Sequence, residues 1–185
     1  MSDAKSQLRK KLILKRKKNF SNKIIFSFEK LYYLIRNNIK KKKIIIGFYY
    51  PTNFEVNIID SLNKIKKHNF TACLPKILKN YNMVFKKWNF NCSTYLNKYG
   101  IPEPNSKNQT LKPDVVLVPL VGYDKKLNRL GYGAGYYDRY LKKLSTQKSF
   151  LAIGVGFSFQ EHNNIPVDKN DFSLDYILNE KKIIY

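Results

Sequence analysis

Three short runs of β-branched and aromatic residues constrain this chain most: residues 43–50 (KIIIGFYY), 114–123 (DVVLVPLVGY) and 150–157 (FLAIGVGF). None alternates polar with apolar positions, so each reads as a strand buried on both faces. Helical spacing fills the segments between them. Residues 2 to about 39 read as helical, with Ser2 or Asp3 capping a first helix that carries Leu8, Leu12 and Ile13. A second helix carries Ile24, Ile25, Phe28, Leu31, Tyr32 and Ile35. Val56, Ile59, Leu62 and Ile65 predict a third over 55–68, and 136–144 predict a fourth. Residues 70–74 and 83–88 read as strands joined by a hairpin through 79–82, and 177–185 as a final short strand. Residues 100–113 hold three of the seven prolines and read as a loop. Strand and helix alternate. The expected fold is therefore α/β: a single three-layer domain over 1–185, with a mainly parallel sheet and helices on both faces, Rossmann-like.

Composition narrows the function classes. With 185 residues and 43% hydrophobic side chains, the chain can bury a core and is not disordered. Its net charge of +22 points at first to nucleic acid. The cations, however, are 30 Lys against 5 Arg, and Lys, Asn and Ile together make 68 of the 185 residues. All three have A/T-rich codons, so base composition accounts for the charge, and a specific phosphate-gripping surface would use more arginine. No specific nucleic-acid partner is expected. Cys73 and Cys92 are too few for a disulfide framework or a cysteine zinc site. No apolar run reaches membrane-spanning length, and the charged N-terminus lacks a secretory apolar region. A cytoplasmic monomer, with no membrane partner, is the expectation. His68 and His162 fit no motif.

The chemistry-bearing segment is Arg129-Leu-Gly-Tyr-Gly-Ala-Gly-Tyr-Tyr-Asp138-Arg139. Three of the eight glycines stand at alternate positions, Gly131, Gly133 and Gly135, between a buried strand and a helix start. Glycine permits positive φ and close backbone approach. Backbone N–H groups at a helix start favour an anion. Arg129 stands where it could reach a phosphate, and Asp138 where it could share Mg²⁺ with phosphate oxygens. The spacing is neither that of a P-loop nor that of the dinucleotide fingerprint. The residues admit two readings, a phosphate cradle or a plain tight turn followed by a favourable first-turn acid.

Together with DVVLVPLVGYD before it, RLGYGAGYYDRYL resembles the signature of the 5-formyltetrahydrofolate cyclo-ligase, or methenyltetrahydrofolate synthetase, family. Further pieces follow in that family's order. They are Lys5-x-x-Leu8-Arg9, Tyr50-Pro51 with Glu55-Val56, Leu74-Pro75, Met83-x-Phe85 and Gly100-Ile101-x-Glu103-Pro104. Ile153-Gly154 with Gln160, then Asp171, Asp175 and Glu180, complete the resemblance over about residues 5–180. Asn57, Ala134, Asn170 and Asn179 depart from the usual pattern.

The resemblance implies ATP- and Mg²⁺-dependent cyclisation of 5-formyltetrahydrofolate to 5,10-methenyltetrahydrofolate, with release of ADP and phosphate after phosphorylation of the formyl oxygen. It implies catalytic roles for Arg129 and Glu55. ATP would meet Lys5, Arg9, Arg129, Leu130, Gly131, Tyr132, Gly133, Ala134, Gly135, Tyr136 and Tyr137. The folate would meet Tyr50, Glu55, Tyr132, Gly133, Ala134, Gly135 and Tyr136. Asp138 and Asp175 would hold Mg²⁺. Without the resemblance, Lys5 and Arg9 read as solvated cations, Glu55 as a first-turn helix acid, and Asp175 as a surface or capping acid. Two rival functions are a basic nucleic-acid-binding protein and another small ATP-dependent enzyme on the same scaffold.

Overall fold

The computed structural model describes residues 3–21, 24, 26–61, 68–89 and 91–185. Its centre is an eight-stranded sheet. In chain order the sheet strands are β1 (Ile44–Gly47), β2 (Phe70–Ile77), β3 (Met83–Lys87), β6 (Thr110–Leu111), β7 (Val115–Pro119), β10 (Leu151–Val155), β11 (Tyr176–Leu178) and β12 (Ile183–Ile184). Two small pairs stand apart: β4 (Thr94–Leu96) with β5 (Pro102–Pro104), and β8 (Gly122–Tyr123) with β9 (Arg129–Leu130). The helices are α1 (Asp3–Asn19), α2 (Phe28–Asn38) and α3 (Tyr136–Ser145).

The spatial order is β12-β11-β10-β7-β1-β2-β3-β6. Strands β11, β10, β7, β1 and β2 run parallel, and both edges turn antiparallel. The strands are buried on both sides because α2 covers one face and α3 the other. Val115 and Leu117 of β7 pack with Ile44, Ile46 and Ile153, beneath Leu31, Leu34 and Ile35 of α2. Val116 and Val118 point oppositely and pack with Ala152 and Ile177, beneath Leu141 and Leu144 of α3. The expected three-layer α/β architecture is thus observed.

Local boundaries differ from the sequence reading for identifiable reasons. The second helix starts at Phe28, because the Ser27 hydroxyl accepts from the Lys30 N–H at 3.3 Å and caps it. Ile24 lies before it; Ser2 and Ile25 fall outside the described residues. Of the predicted helix over 55–68, residues 55–58 are irregular and Ile59–Ser61 form a 3₁₀ turn; residues 62–67, with Leu62 and Ile65, lie outside the described residues. Residues 114–123 are two strands, and 100–113 contains β5 and β6. The segment 177–185 is a hairpin of β11 and β12. The β2–β3 hairpin forms as read, with Leu78 N–H bonded to the Asn82 carbonyl at 2.7 Å. Among the described residues, no helix is long and apolar enough to cross a membrane.

Asp114 anchors the entrance of β7. Its carboxylate accepts from Ile45 N–H at 2.9 Å, Lys41 at 2.7 Å and Lys148 at 2.6 Å. Burial opposes its charge, but Lys148, Lys41 and the Ile45 N–H outweigh burial and hold the carboxyl below its ordinary range. Such a group stabilises the fold above the unfolded pKa and loses that contribution as pH falls through the lower folded value. Asp114→Asn should therefore cost about 1.5–3 kcal/mol at pH 7. Below about pH 4 the difference from the native chain should shrink. Urea midpoints of both proteins at pH 7 and pH 3 check this.

Candidate active site

The strand order reverses between β1 and β7: the chain leaves β1 toward β2 on one side and later adds β7, β10 and β11 on the other. In open α/β sheets such a switch leaves a crevice beyond the carboxyl ends of the two strands. Two loops enter it. One follows β1 and carries Tyr50 and Glu55; the other follows the β8–β9 excursion and carries the glycine segment.

Glu55 sits on a tight turn, not in a helix. Its N–H bonds to the Thr52 carbonyl at 2.9 Å, and its Oε2 accepts from Thr52 N–H at 2.8 Å. Asn53 and Phe54 between them take positive φ, 49° and 63°. The carboxylate is buried, and the Tyr132 hydroxyl favours its charged form. Burial raises its pKa above the ordinary carboxylate value; the Thr52 N–H, the charge of Arg16 and the Tyr132 hydroxyl pull against this without cancelling it.

The glycine segment is a sharp turn at the entrance of α3. Gly133 has φ of 105°, and Gly135 caps the helix in the left-handed region at 67°. Three guanidinium groups hold its frame. Arg9 Nε donates to the Gly131 carbonyl at 2.7 Å. Arg139 donates to the Ala134 carbonyl and, at 3.0 Å, to that of Tyr81. Arg129, only 8% exposed, donates to Asp138 Oδ1 at 2.7 Å, an oxygen that also accepts from Phe172 N–H at 3.2 Å.

Helix α1 crosses the crevice. Lys5, Arg9, Leu12 and Arg16 occupy one helical face. Leu12 packs with Val121, Leu130 and Ile165. Arg16, 1% exposed, donates to the Leu120 carbonyl at 3.1 Å and to the Tyr132 hydroxyl. Lys5 forms ion pairs with Asp168 at 2.9 Å and Asp171 at 2.6 Å.

The expected site residues divide accordingly. Glu55, Arg9, Arg129, Asp138 and the backbone of 131–135 converge on the crevice. Lys5 is not a solvated cation, and in this structure it is committed to two aspartates. The Leu130 side chain packs in the small core under α1, so only its backbone belongs to the loop. Tyr50 is half-buried against the α2-side core. Tyr136 turns to the rim, its hydroxyl 3.4 Å from that of Tyr99. Asp175 is tied elsewhere than Asp138: its Oδ2 accepts from Ala152 N–H at 2.7 Å at the entrance of β10. No hydrogen bond or ion pair joins the two acids, and among the described residues no three metal-ligating side chains cluster.

Three buried side-chain polar atoms have no partner among the described residues: Arg16 Nε, Arg129 Nε and the Tyr137 hydroxyl. All three belong to residues bordering this crevice, where unsatisfied polar groups mark a place for a ligand. Arg16 was not foreseen. The signal was its place on the Lys5–Arg9 face, and the scarcity of arginine: four of the five arginines, Arg9, Arg16, Arg129 and Arg139, border the glycine loop.

A family model described as the 5-formyltetrahydrofolate cyclo-ligase family matches residues 1–180. The chain belongs to that family. It is accordingly an enzyme, a ligase. A 5-formyltetrahydrofolate cyclo-ligase from Mycoplasma genitalium is 30% identical over 181 residues, covering 94% of this chain and 96% of the relative. One from Haemophilus influenzae is 33% identical over 140 residues, covering 72% and 74%. The solved structure of a 5,10-methenyltetrahydrofolate synthetase from Mycoplasma pneumoniae superposes with a TM-score of 0.68 at 28% identity, covering 98% of this chain and 100% of that one.

Arg129→Ala and Asp138→Ala should each cut kcat/KM by well over tenfold, the loss of a charge-assisted contact worth about 1.5–3 kcal/mol. Steady-state kinetics on folded variants check this, and unchanged turnover in both would remove the loop from the chemistry. Gly133→Val places a side chain on backbone at φ 105°. It should lower turnover, measured by steady-state kinetics, while the circular dichroism spectrum is retained.

Proposed function

We propose that this cyclo-ligase family member converts 5-formyltetrahydrofolate into 5,10-methenyltetrahydrofolate with consumption of ATP, releasing ADP and phosphate. One observation carries the reading. The glycine loop, with a buried and unpaired Arg129 Nε beside it, carries Tyr132, whose hydroxyl favours the charged form of the buried Glu55 carboxylate. A phosphate-binding element and an acceptor for pterin N–H groups thus meet at one residue.

A formamide oxygen is a poor leaving group. In the proposed reaction the formyl oxygen attacks the γ-phosphorus of ATP, and ADP leaves. The formyl carbon then carries phosphate and a partial positive charge. Nitrogen 10 of the folate attacks that carbon and loses its proton. Expulsion of phosphate leaves the cyclic methenyl cation. No covalent enzyme intermediate is required. The protein's part is placement and charge cover.

Backbone N–H groups of 131–135 and the N-terminus of α3 favour the phosphates, and Arg129 screens charge on the transferring group. Arg9 and Arg139 spend their bonds on loop carbonyls and keep the loop in its bound shape. Lys5, paired with Asp168 and Asp171, ties α1 to the segment that carries them. Glu55 orients the pterin. The residues fit a magnesium ion in part: among the described residues both hydrogen bonds to the Asp138 carboxylate fall on Oδ1, so Oδ2 retains lone pairs for one. Mg²⁺ is commonly held by one or two carboxylates plus phosphate oxygens and water. When bound it would neutralise phosphate charge and orient the γ-phosphoryl group. Asp175 would act from the second rank, because Ala152 already holds its carboxylate.

The test is the absorbance of methenyltetrahydrofolate formed from 5-formyltetrahydrofolate, Mg²⁺ and ATP at neutral pH, beside a no-ATP control and Asp138→Ala. ATP-dependent product from the native chain, lost in the variant, is expected. No product from folded protein would overturn the reaction and direct the search to another acceptor or to nucleic acid.

A further inference from the structure

We infer that Arg16 is a positioning residue of this active site: its guanidinium bridges the Leu120 carbonyl at the end of β7 to the Tyr132 hydroxyl of the glycine loop, and so directs the Tyr132 proton onto Glu55. The inference deepens the cyclo-ligase reading and rests on it for the role of Glu55.

The first argument is cost. A fully buried guanidinium is expensive unless it is paired and hydrogen-bonded. Arg16 is 1% exposed, and among the described residues no ion pair joins it to a carboxylate. Its Nη1 is bound to a carbonyl, its Nη2 to a phenol, and its Nε to nothing. Anchoring α1 does not need this cation, because Leu12 on the same face already packs into the core beneath the helix.

The second argument is direction. A guanidinium only donates, whereas a phenol has one proton and can also accept. Bonded to Arg16, the Tyr132 oxygen must accept, which frees its one proton for another acceptor, and Glu55 is the carboxylate whose charged form this hydroxyl favours. With the proton so directed, guanidinium, phenol and carboxylate would form a chain in which each bond polarises the next. The Arg16 guanidinium also lies 5.5 Å from the centre of the Tyr132 ring, which limits the ring's swing. A lysine would supply charge without bridging carbonyl and phenol in one plane.

The third argument is electrostatic. Arg16 from α1, Tyr132 from the loop and Thr52 from the turn face Glu55, as do Tyr49 after β1 and Tyr137 of α3. Burial pushes Tyr49 and Tyr137 well above the ordinary phenol range, so both stay neutral. Arg16 is thus the cation that favours a charged Glu55 against its burial.

The experiment uses the full chain with ¹³C-carboxyl-labelled glutamate. There are five glutamates, and Glu55→Gln assigns the resonance. Arg16→Met, Arg16→Lys and Tyr132→Phe are compared with the native protein for kcat, KM and the Glu55 titration midpoint. In Arg16→Met the midpoint should rise by about half a pH unit or more, from loss of the favouring charge. Its kcat should fall about tenfold or more, with KM for ATP changed less than about threefold. Arg16→Lys should restore most of the midpoint but little of kcat. Adding Tyr132→Phe to Arg16→Met should cost little more, since one bridge is cut twice. A native midpoint in Arg16→Met, or fully additive losses, would overturn the inference. If Arg16→Met does not fold, Tyr132→Phe decides alone, because it cuts the bridge with Arg16 in place; unchanged kcat and midpoint there would overturn it. Absence of turnover in the native chain would overturn the cyclo-ligase reading, and the titration would still decide the role of Arg16.

Discussion

The parallel pairing of β1 with β7 governs the rest of the molecule. Because these strands and their neighbours β2, β10 and β11 point the same way, their connections leave from one edge of the sheet. Helices must then return over the faces, which buries both sides and accounts for strands without polar alternation. The direction of the crossovers reverses at β1 and β7, so the loops after these two strands diverge and leave a crevice. Glu55 comes from one loop and the glycine segment from the other.

That crevice is framed by cations that do structural and electrostatic work together. Arginine carries several donors in one plane, and each guanidinium here joins elements distant in sequence. Arg9 joins α1 to Gly131, Arg16 joins α1 to Leu120 and Tyr132, and Arg139 joins α3 to Ala134 and the hairpin at Tyr81. Lysine, the abundant cation, serves mainly as surface charge or as a single-point tie, as Lys5 does to Asp168 and Asp171. The arginine-poor composition argued against a phosphate-gripping surface; the same scarcity marks the few arginines at the loop.

Much of this was legible from local pattern. The buried strands, α3 and the β2–β3 hairpin follow from apolar runs, helical spacing and turn residues. Glycines 131, 133 and 135 announced a turn, and two of them take positive φ. What was not legible depends on distant partners. Glu55 reads as the first acid of a helix, yet residues 52–55 close a tight turn in which the Glu55 carboxylate binds Thr52. Asp138 and Asp175 resemble each other in sequence, but Phe172 and Arg129 claim one and Ala152 the other. Arg16 looked like one more charge on a basic helix, because nothing in its neighbours states that it is buried.

The sequence by itself determined the class of fold, the position of the glycine loop and the family, because these depend on short-range periodicity and on a contiguous motif. Tertiary structure alone decided which charges are spent on the frame and which are left for a ligand. A side chain's partners across the strand ends are set by strand order and helix placement, and residues such as Arg16 and Leu120, 104 positions apart, meet only when the sheet is assembled.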